Sequence, residues 1–177
     1  MLETERLILR PLTETDVDQV FALRNDAEIM RFIREPQKTR DEAESWMKLV
    51  SSRWESEKIG FCEVIEKTSE EFVGWCGLWR LKESGEIEVG YAVAQKFQRQ
   101  GYATEAAEAC LKYGFKSLKL KKIVAVTRPE NSASRRVMEK LGMKYDGLGK
   151  FYGAKLAHYS IAENDWEKAQ SGKRRFQ

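Results

Sequence analysis

Hydrophobic positions change period several times along this chain, and each change marks an element. In Arg6–Leu12, Leu7 and Leu9 share one face of a short strand, and Pro11 stands at its end, where a missing donor does least harm. Thr13 caps a helix predicted through Asn25, with Glu14 and Asp16 in a first turn that suits the helix dipole. Thr39-Arg40-Asp41-Glu42 has the form of a capping box, and behind it Ala43, Trp46, Met47, Val50 and Trp54 recur at helical spacing. The period then shortens. Gly60–Lys67 and Glu71–Lys82, rich in Phe, Val, Ile and Trp with polar turns between them, predict a hairpin. Across Glu86–Ala94, Ile87, Val89, Tyr91 and Val93 alternate with Glu86, Glu88, Gly90 and Ala92, a strand with one polar or small face. Helical spacing returns over Gly101–Leu118, and Lys122–Thr127 is a short apolar strand. Ser132–Leu141 is a helix stopped by Gly142, and Met143–Tyr152 with Lys155–Ala162 forms an antiparallel pair.

That order predicts a mixed α/β (α+β) fold. Its sheet is mostly antiparallel, of roughly six or seven strands, flanked by about four helices, with one parallel crossover through Gly101–Leu118. No repeat, low-complexity tract or linker interrupts the chain, so residues 1–177 read as a single domain with 167–177 as a flexible tail.

Composition changes this picture little. Charged residues make up 33% and hydrophobic ones 42%, a globular profile, and no apolar run approaches the roughly 20 residues needed to span a bilayer. The opening MLETERLILRPL lacks the basic and apolar regions of a secretory signal, so a cytoplasmic protein with no membrane partner is expected. Cys62, Cys76 and Cys110 are widely spaced in apolar surroundings, with a single histidine and no C-x-x-C, which suggests buried thiols and no metal site. The net charge is +3, concentrated in Leu118–Lys122 and in Lys173-Arg174-Arg175. A solvated face and a fraying terminus account for these runs, so no nucleic-acid partner is expected.

One segment suggests chemistry. The strand over Glu86–Ala94 leads through Gln98–Ala103 directly into a helix, whose first N–H groups lack internal partners and sit at the positive end of its dipole. Such a junction offers convergent donors to an anion, Gly101 permits positive φ and close approach, and Ala103 leaves the helix entrance uncrowded. Gly101 alone equally describes an ordinary strand-to-helix turn, and the segment has neither the P-loop nor the dinucleotide glycine pattern. An anion site is as far as the physics goes.

Gln98-x-x-Gly101-x-Ala103 resembles the Q/R-x-x-G-x-G/A signature of GNAT acetyltransferases, and it follows Gly90-Tyr91-Ala92-Val93, the strand that in that family splays open for a pantetheine arm. Asn131-Ser-Ala-Ser134 through Gly142-Met143 is similar to the family's second coenzyme motif. Glu3–Leu12 and Tyr159–Trp166 resemble the branch that acetylates ribosomal-protein N-termini and related small amines. The resemblance covers about residues 2–166. It implies acetyl-CoA as cosubstrate and an amine acceptor, on a small molecule or at a protein or peptide N-terminus, in a monomer or homodimer. It implies coenzyme contacts from Ala92, Val93, Gln98, Arg99, Gln100, Gly101, Tyr102, Ala103, Thr104, Asn131 and Arg136, with Arg135 also placed to reach a phosphate.

The reaction so implied is attack of a neutral amine on a thioester, and Glu88 is the candidate carboxylate to take or position the amine proton, with Glu86 as runner-up. A structural role for Glu88 stays open. Many family members place a tyrosine acid where this chain has Met138; Ser134, one turn earlier, is the substitute, or else a local cap. Gln95 stands where the family often has proline, which is expected to loosen the turn. His158 lies on a C-terminal strand away from these motifs, while Trp75, Trp79 and Tyr152 are candidates to line an acceptor pocket, although aromatic residues on strands more often belong to the core. The missing tyrosine leaves a second reading, a coenzyme-binding sensor without catalysis. Gly101→Trp is expected to abolish coenzyme binding measured by calorimetry while the protein still melts cooperatively; unchanged affinity would remove the loop from the site.

Overall fold

The computed structural model describes residues 1–33 and 35–173, with side chains through Ser171. In chain order the elements are β1 (Leu2–Glu3), β2 (Leu7–Pro11), α1 (Val17–Asn25), α2 (Ala27–Met30), α3 (Arg40–Glu57), β3 (Phe61–Glu66), β4 (Phe72–Arg80), β5 (Ile87–Val93), α4 (Tyr102–Lys116), β6 (Lys122–Thr127), α5 (Ser132–Lys140), β7 (Lys144–Phe151), β8 (Ala154–Ala162) and α6 (Glu163–Lys173). The strands form one 8-stranded sheet in the order β1-β2-β3-β4-β5-β6-β8-β7. Every neighbouring pair is antiparallel except β5 and β6, which are joined by the α4 crossover. This is the expected α+β architecture.

Period-two alternation sorts the strand residues onto two cores. Leu7, Leu9, Val64, Val73, Leu78, Ile87 and Val89 pack under α4 with Ala107, Leu111 and Phe115. Leu12, Phe61, Trp75 and Ala92 face the other way, onto Val17, Val20 and Leu23 of α1 and Ala43, Met47 and Val50 of α3. The alanines of α4 do what their size allows. Ala106 and Ala107 are buried, and a Cβ on Gly114 would lie 2.6 Å from Ile123 Cδ1, so the helix rests almost on the sheet. Cys62, Cys76 and Cys110 are buried free thiols, with the sulfurs of Cys76 and Cys110 3.6 Å apart.

The caps follow the sequence closely. Thr39 Oγ1 accepts from Glu42 N at 3.3 Å, and Glu42 reaches back to Lys38 N at 2.8 Å. Thr13 opens a 3₁₀ turn, Glu14–Asp16, ahead of α1. Asp16 also takes both Arg10 terminal nitrogens, at 2.8 and 2.7 Å, and Arg10 pairs with Glu63 on β3, so one arginine ties the start of α1 to two strands.

Three elements go beyond the sequence pattern. β1 is two residues long and pairs Leu2 with Leu9. α2 is a single turn started by Asp26, whose carboxylate accepts from Glu28 N and Ile29 N at 2.9 and 3.1 Å. α6 holds to the body through Trp166, buried with its ring 5.4 Å from that of Phe115. It takes in the first part of the stretch expected as a tail; Arg174 and Arg175 of the basic run lie outside the described residues. In the other basic run, Lys121 and Lys122 are paired with Glu163 and Glu86, at 2.7 and 2.5 Å. Among the described residues no helix is long and apolar enough to cross a membrane.

Gly77, in the middle of β4, has no room for a side chain: a Cβ would fall 2.1 Å from Gly60 O and 2.6 Å from Phe61 Cα, both backbone atoms. Gly77→Ala should therefore cost about 1–3 kcal/mol, read as a lower urea midpoint at unchanged slope.

Candidate active site

The two parallel strands touch only at their beginning. Glu88 faces Val124, and no further β5–β6 pair follows. Beyond that point β5 stays zipped to β4 while its other edge opens. Ala94 N donates to Val73 O at 2.8 Å, so by ladder alternation Ala92 and Gly90 bond toward β4, and Val93 and Tyr91 turn their N–H and C=O groups into the gap. The Val93 carbonyl there accepts Gln98 Nε2 at 3.1 Å, which leaves its N–H as the open donor at the mouth.

The loop from this mouth to α4 is held by its own side chains. A 3₁₀ turn, Gln95–Phe97, follows the strand. The expected loosening at Gln95 is not found, because its side chain donates to Asp26 Oδ2 at 2.9 Å and anchors the turn to the cap of α2. Gln100 Nε2 donates to Lys96 O at 2.7 Å. Arg99 and Gly101 both have left-handed φ, +62° and +88°. Gly101 is the N-cap of α4, and among the described residues no side chain caps that helix. The first N–H groups, of Tyr102, Ala103 and Thr104, are thus uncapped at the positive end of a 15-residue helix. Gln98, Arg99, Gln100 and Gly101 are exposed, Ala103 and Thr104 half-buried, and Tyr102 turns inward against Phe97. At the strand end that leads into them, Ala92 is buried and Val93 half-buried. Uncapped donors beside a parted sheet suit a ligand with a diphosphate and a narrow arm.

Across the gap stands α5. Asn131 caps it by accepting from Ser134 N at 3.1 Å and donates to Thr127 Oγ1 at 3.1 Å, so its side chain is already engaged. Ser134 Oγ lies 2.9 Å from Tyr91 Oη, which also donates to Ser134 O at 3.2 Å. Burial raises the Tyr91 phenol above its ordinary value, so it stays protonated at neutral pH. Tyr91 was not singled out in the sequence for this contact. The signal was its place in the alternation with Ile87 and Val89, which sends its side chain to the α4–α5 face. Met138 is buried in the core. Arg135 is committed elsewhere, donating to Tyr159 Oη at 2.9 Å, while Arg136 is exposed.

Glu88 points to the opposite face of the sheet, beside Trp79 across the β4–β5 ladder. It is buried, and its carboxyl is pushed up to about 7 by desolvation, which outweighs a hydrogen bond from Tyr152. Tyr152 reaches it from the β7–β8 turn, where Tyr152 N also donates to Glu83 at 2.5 Å. Trp75 and Trp79 share this face with Phe61, whose ring lies 4.6 and 5.4 Å from theirs. Glu86 differs from Glu88. Lys122 holds it below the usual carboxylate range, and its ion pairs leave it a poor proton acceptor. His158 is not remote, as its sequence position suggested: Nε2 lies 3.6 Å from Glu86 and Nδ1 3.2 Å from Asp146. The register between β6 and β8 brings it there.

A family model described as "Acetyltransferase (GNAT) domain" matches residues 6–144. The uncharacterized N-acetyltransferase YnaD of Bacillus subtilis is 29% identical over 171 residues, 93% of this chain and 98% of that protein. A spermidine N(1)-acetyltransferase of Escherichia coli is 28% identical, over 78% of this chain and 73% of its own length. A solved acetyltransferase structure from Bacillus anthracis superposes with a TM-score of 0.77 at 31% identity, covering 92% of this chain and 98% of the other.

The Glu88 carboxyl titrates higher in the folded protein than in the unfolded chain, so its stabilising contribution is full below pH 4.5 and is lost as pH rises through about 7. Glu88→Gln lacks that loss. Its melting temperature relative to the parent should rise by roughly 5 °C between pH 5 and pH 8; a constant difference would mean that folding does not raise the Glu88 carboxyl.

Proposed function

We propose a set of roles for a chain that belongs to the GNAT acetyltransferase family and is an acetyl-CoA-dependent N-acetyltransferase. The acceptor is an amine, on a small molecule or at a peptide N-terminus, that attacks the thioester directly while both substrates are bound. The observation that carries this reading is Glu88: a buried carboxylate, pushed up to about 7, at the one point where β5 and β6 meet and where the gap begins. An alkyl amine is mostly protonated at neutral pH, and a carboxylate that titrates close to neutrality accepts its proton far more readily than one near 4.

The loop 98–104 with the α4 N-terminus holds the diphosphate, and the pantetheine arm lies along the open edge of β5. The Val93 N–H polarises the thioester carbonyl and stabilises the oxyanion as it forms. The amine nitrogen bonds to the carbonyl carbon, its proton passes to Glu88, and the carbon–sulfur bond breaks to leave an acetamide and a thiolate. Ser134, 2.9 Å from the Tyr91 hydroxyl, donates a hydrogen bond to that sulfur and passes it a proton as it takes one from water, and so fills the place of the tyrosine that Met138 replaces. Asn131 supports this arrangement by fixing the first turn of α5. Arg136, exposed on α5, is the arginine left to meet a coenzyme phosphate. The likeness to a spermidine N(1)-acetyltransferase supports an alkyl amine as acceptor.

Coenzyme release followed with a thiol reagent, across a panel of diamines, monoamines and short peptides, tests the assignment. Glu88→Gln should lower kcat by about 100-fold or more with KM for acetyl-CoA little changed. The Tyr152 hydroxyl favours the ionised form of Glu88, so Tyr152→Phe should move the acid limb of the pH–rate profile above about 7. A fully active Glu88→Gln enzyme would remove Glu88 from the chemistry. Tight coenzyme binding with no turnover on any amine would overturn the amine acceptor.

A further inference from the structure

The first turn of α4 carries a carboxylate, Glu105, where an incoming diphosphate would meet its repulsion. Four contacts hold it, all from the entry to β2. Thr4 Oγ1 donates to Glu105 Oε1 at 2.6 Å, and Arg6 N to the same oxygen at 2.9 Å. Arg6 Nε and Nη2 lie 2.7 and 2.6 Å from Oε2. Burial alone would raise Glu105, but these bonds outweigh it and keep the group ionised. The remaining Arg6 nitrogen, Nη1, donates to Gln100 O at 3.1 Å, and the guanidinium lies 4.3 Å over the Tyr102 ring. A Cβ on Gly101 would sit 3.4 Å from Arg6 Nη2, so the cation backs directly onto the loop.

A trans peptide points its carbonyl and the following N–H in opposite directions. With the Gln100 carbonyl held by Arg6, the Gly101 N–H is turned away from the arginine, next in the chain to the uncapped N–H groups of α4. Gln100 lies between two left-handed residues, Arg99 and Gly101. Arg99 has a Cβ, and for such a residue this conformation costs about 1–2 kcal/mol, so the surroundings must impose it. The bond from Arg6 to the carbonyl between them is one such constraint.

We propose that Arg6 is a positioning residue for coenzyme binding, which fixes the diphosphate loop with its donors facing the anion and neutralises Glu105 beside it. This role rests on the reading that residues 98–104 hold the diphosphate. It predicts a ligand-selective defect. Coenzyme A and pantetheine, which shares the thiol arm and lacks the diphosphate, serve as probes, titrated by calorimetry and by ligand-observed NMR.

Arg6→Ala should raise Kd for coenzyme A about tenfold or more while Kd for pantetheine stays within about twofold. Adding Glu105→Gln should return about threefold of that loss, since the repelling charge goes with its partner. Arg6→Lys keeps the charge without the fork and should fall between, at an unchanged melting temperature, which covers the case of an Arg6→Ala protein that fails to fold. Equal weakening toward both probes would reduce Arg6 to a fold contact and overturn the proposal, as would undiminished coenzyme A affinity. A wild-type protein that binds both probes equally, or binding that survives Gly101→Trp, would instead sink the loop assignment and this role with it.

Discussion

The parting of β5 from β6 is the constraint from which the site follows. A parallel pair normally satisfies both strands, yet here the pairing ends at Glu88 and Val124, and the edge of β5 beyond it is left with polar groups facing outward. Such groups are costly to bury without partners. The strand is kept straight by its unbroken ladder to β4, from Arg80–Ile87 to Gly74–Val93, while α4 and α5 pack on the face behind it. The opening is therefore held by packing on both sides of it, and it is continuous with the uncapped end of α4.

Alternation along β5 then distributes the chemistry. Glu88 faces the layer of Trp79 and Tyr152, whereas Tyr91, three residues on, faces α5 and Ser134. In the proposed reaction the proton acceptor and the proton donor stand on opposite faces of one sheet, and the substrate carbonyl passes between them through the gap. Burial serves both in opposite senses. It lifts the Glu88 carboxyl toward neutrality, where it exchanges protons, and it lifts the Tyr91 phenol out of reach, where it remains a donor.

Much of the fold was legible in the pattern of apolar residues, because each large element presents a clear period to a packed face. The elements that escaped lack such a face. β1 has two residues, α2 has one turn, and α6 relies mainly on Trp166. The junction proposed to hold the coenzyme was legible as a candidate anion site because Gly101 and the following helix carry a local signal. Arg6 and Glu105 were not, being 99 residues apart and joined only through the sheet. His158 was misjudged for the same reason: distance along the chain says nothing of strand order, and β8 lies between β6 and β7.

The turn that carries Tyr152 has φ of +51° at Tyr152 and +74° at Gly153, the two-residue geometry that suits a hairpin, and it joins β8 to β7, the last strand of the sheet. Its backbone is tied to Glu83 and its hydroxyl rests on Glu88, whereas loop 98–104 is tied to Arg6 at the entry to β2, and the turn before it to Asp26 at the cap of α2. The two ends of the site thus hang on separate parts of the scaffold. In the proposed reaction, sequence change in the hairpin remodels what approaches the carboxylate while the loop proposed for the coenzyme keeps its shape, so one donor-binding frame could serve many different acceptors.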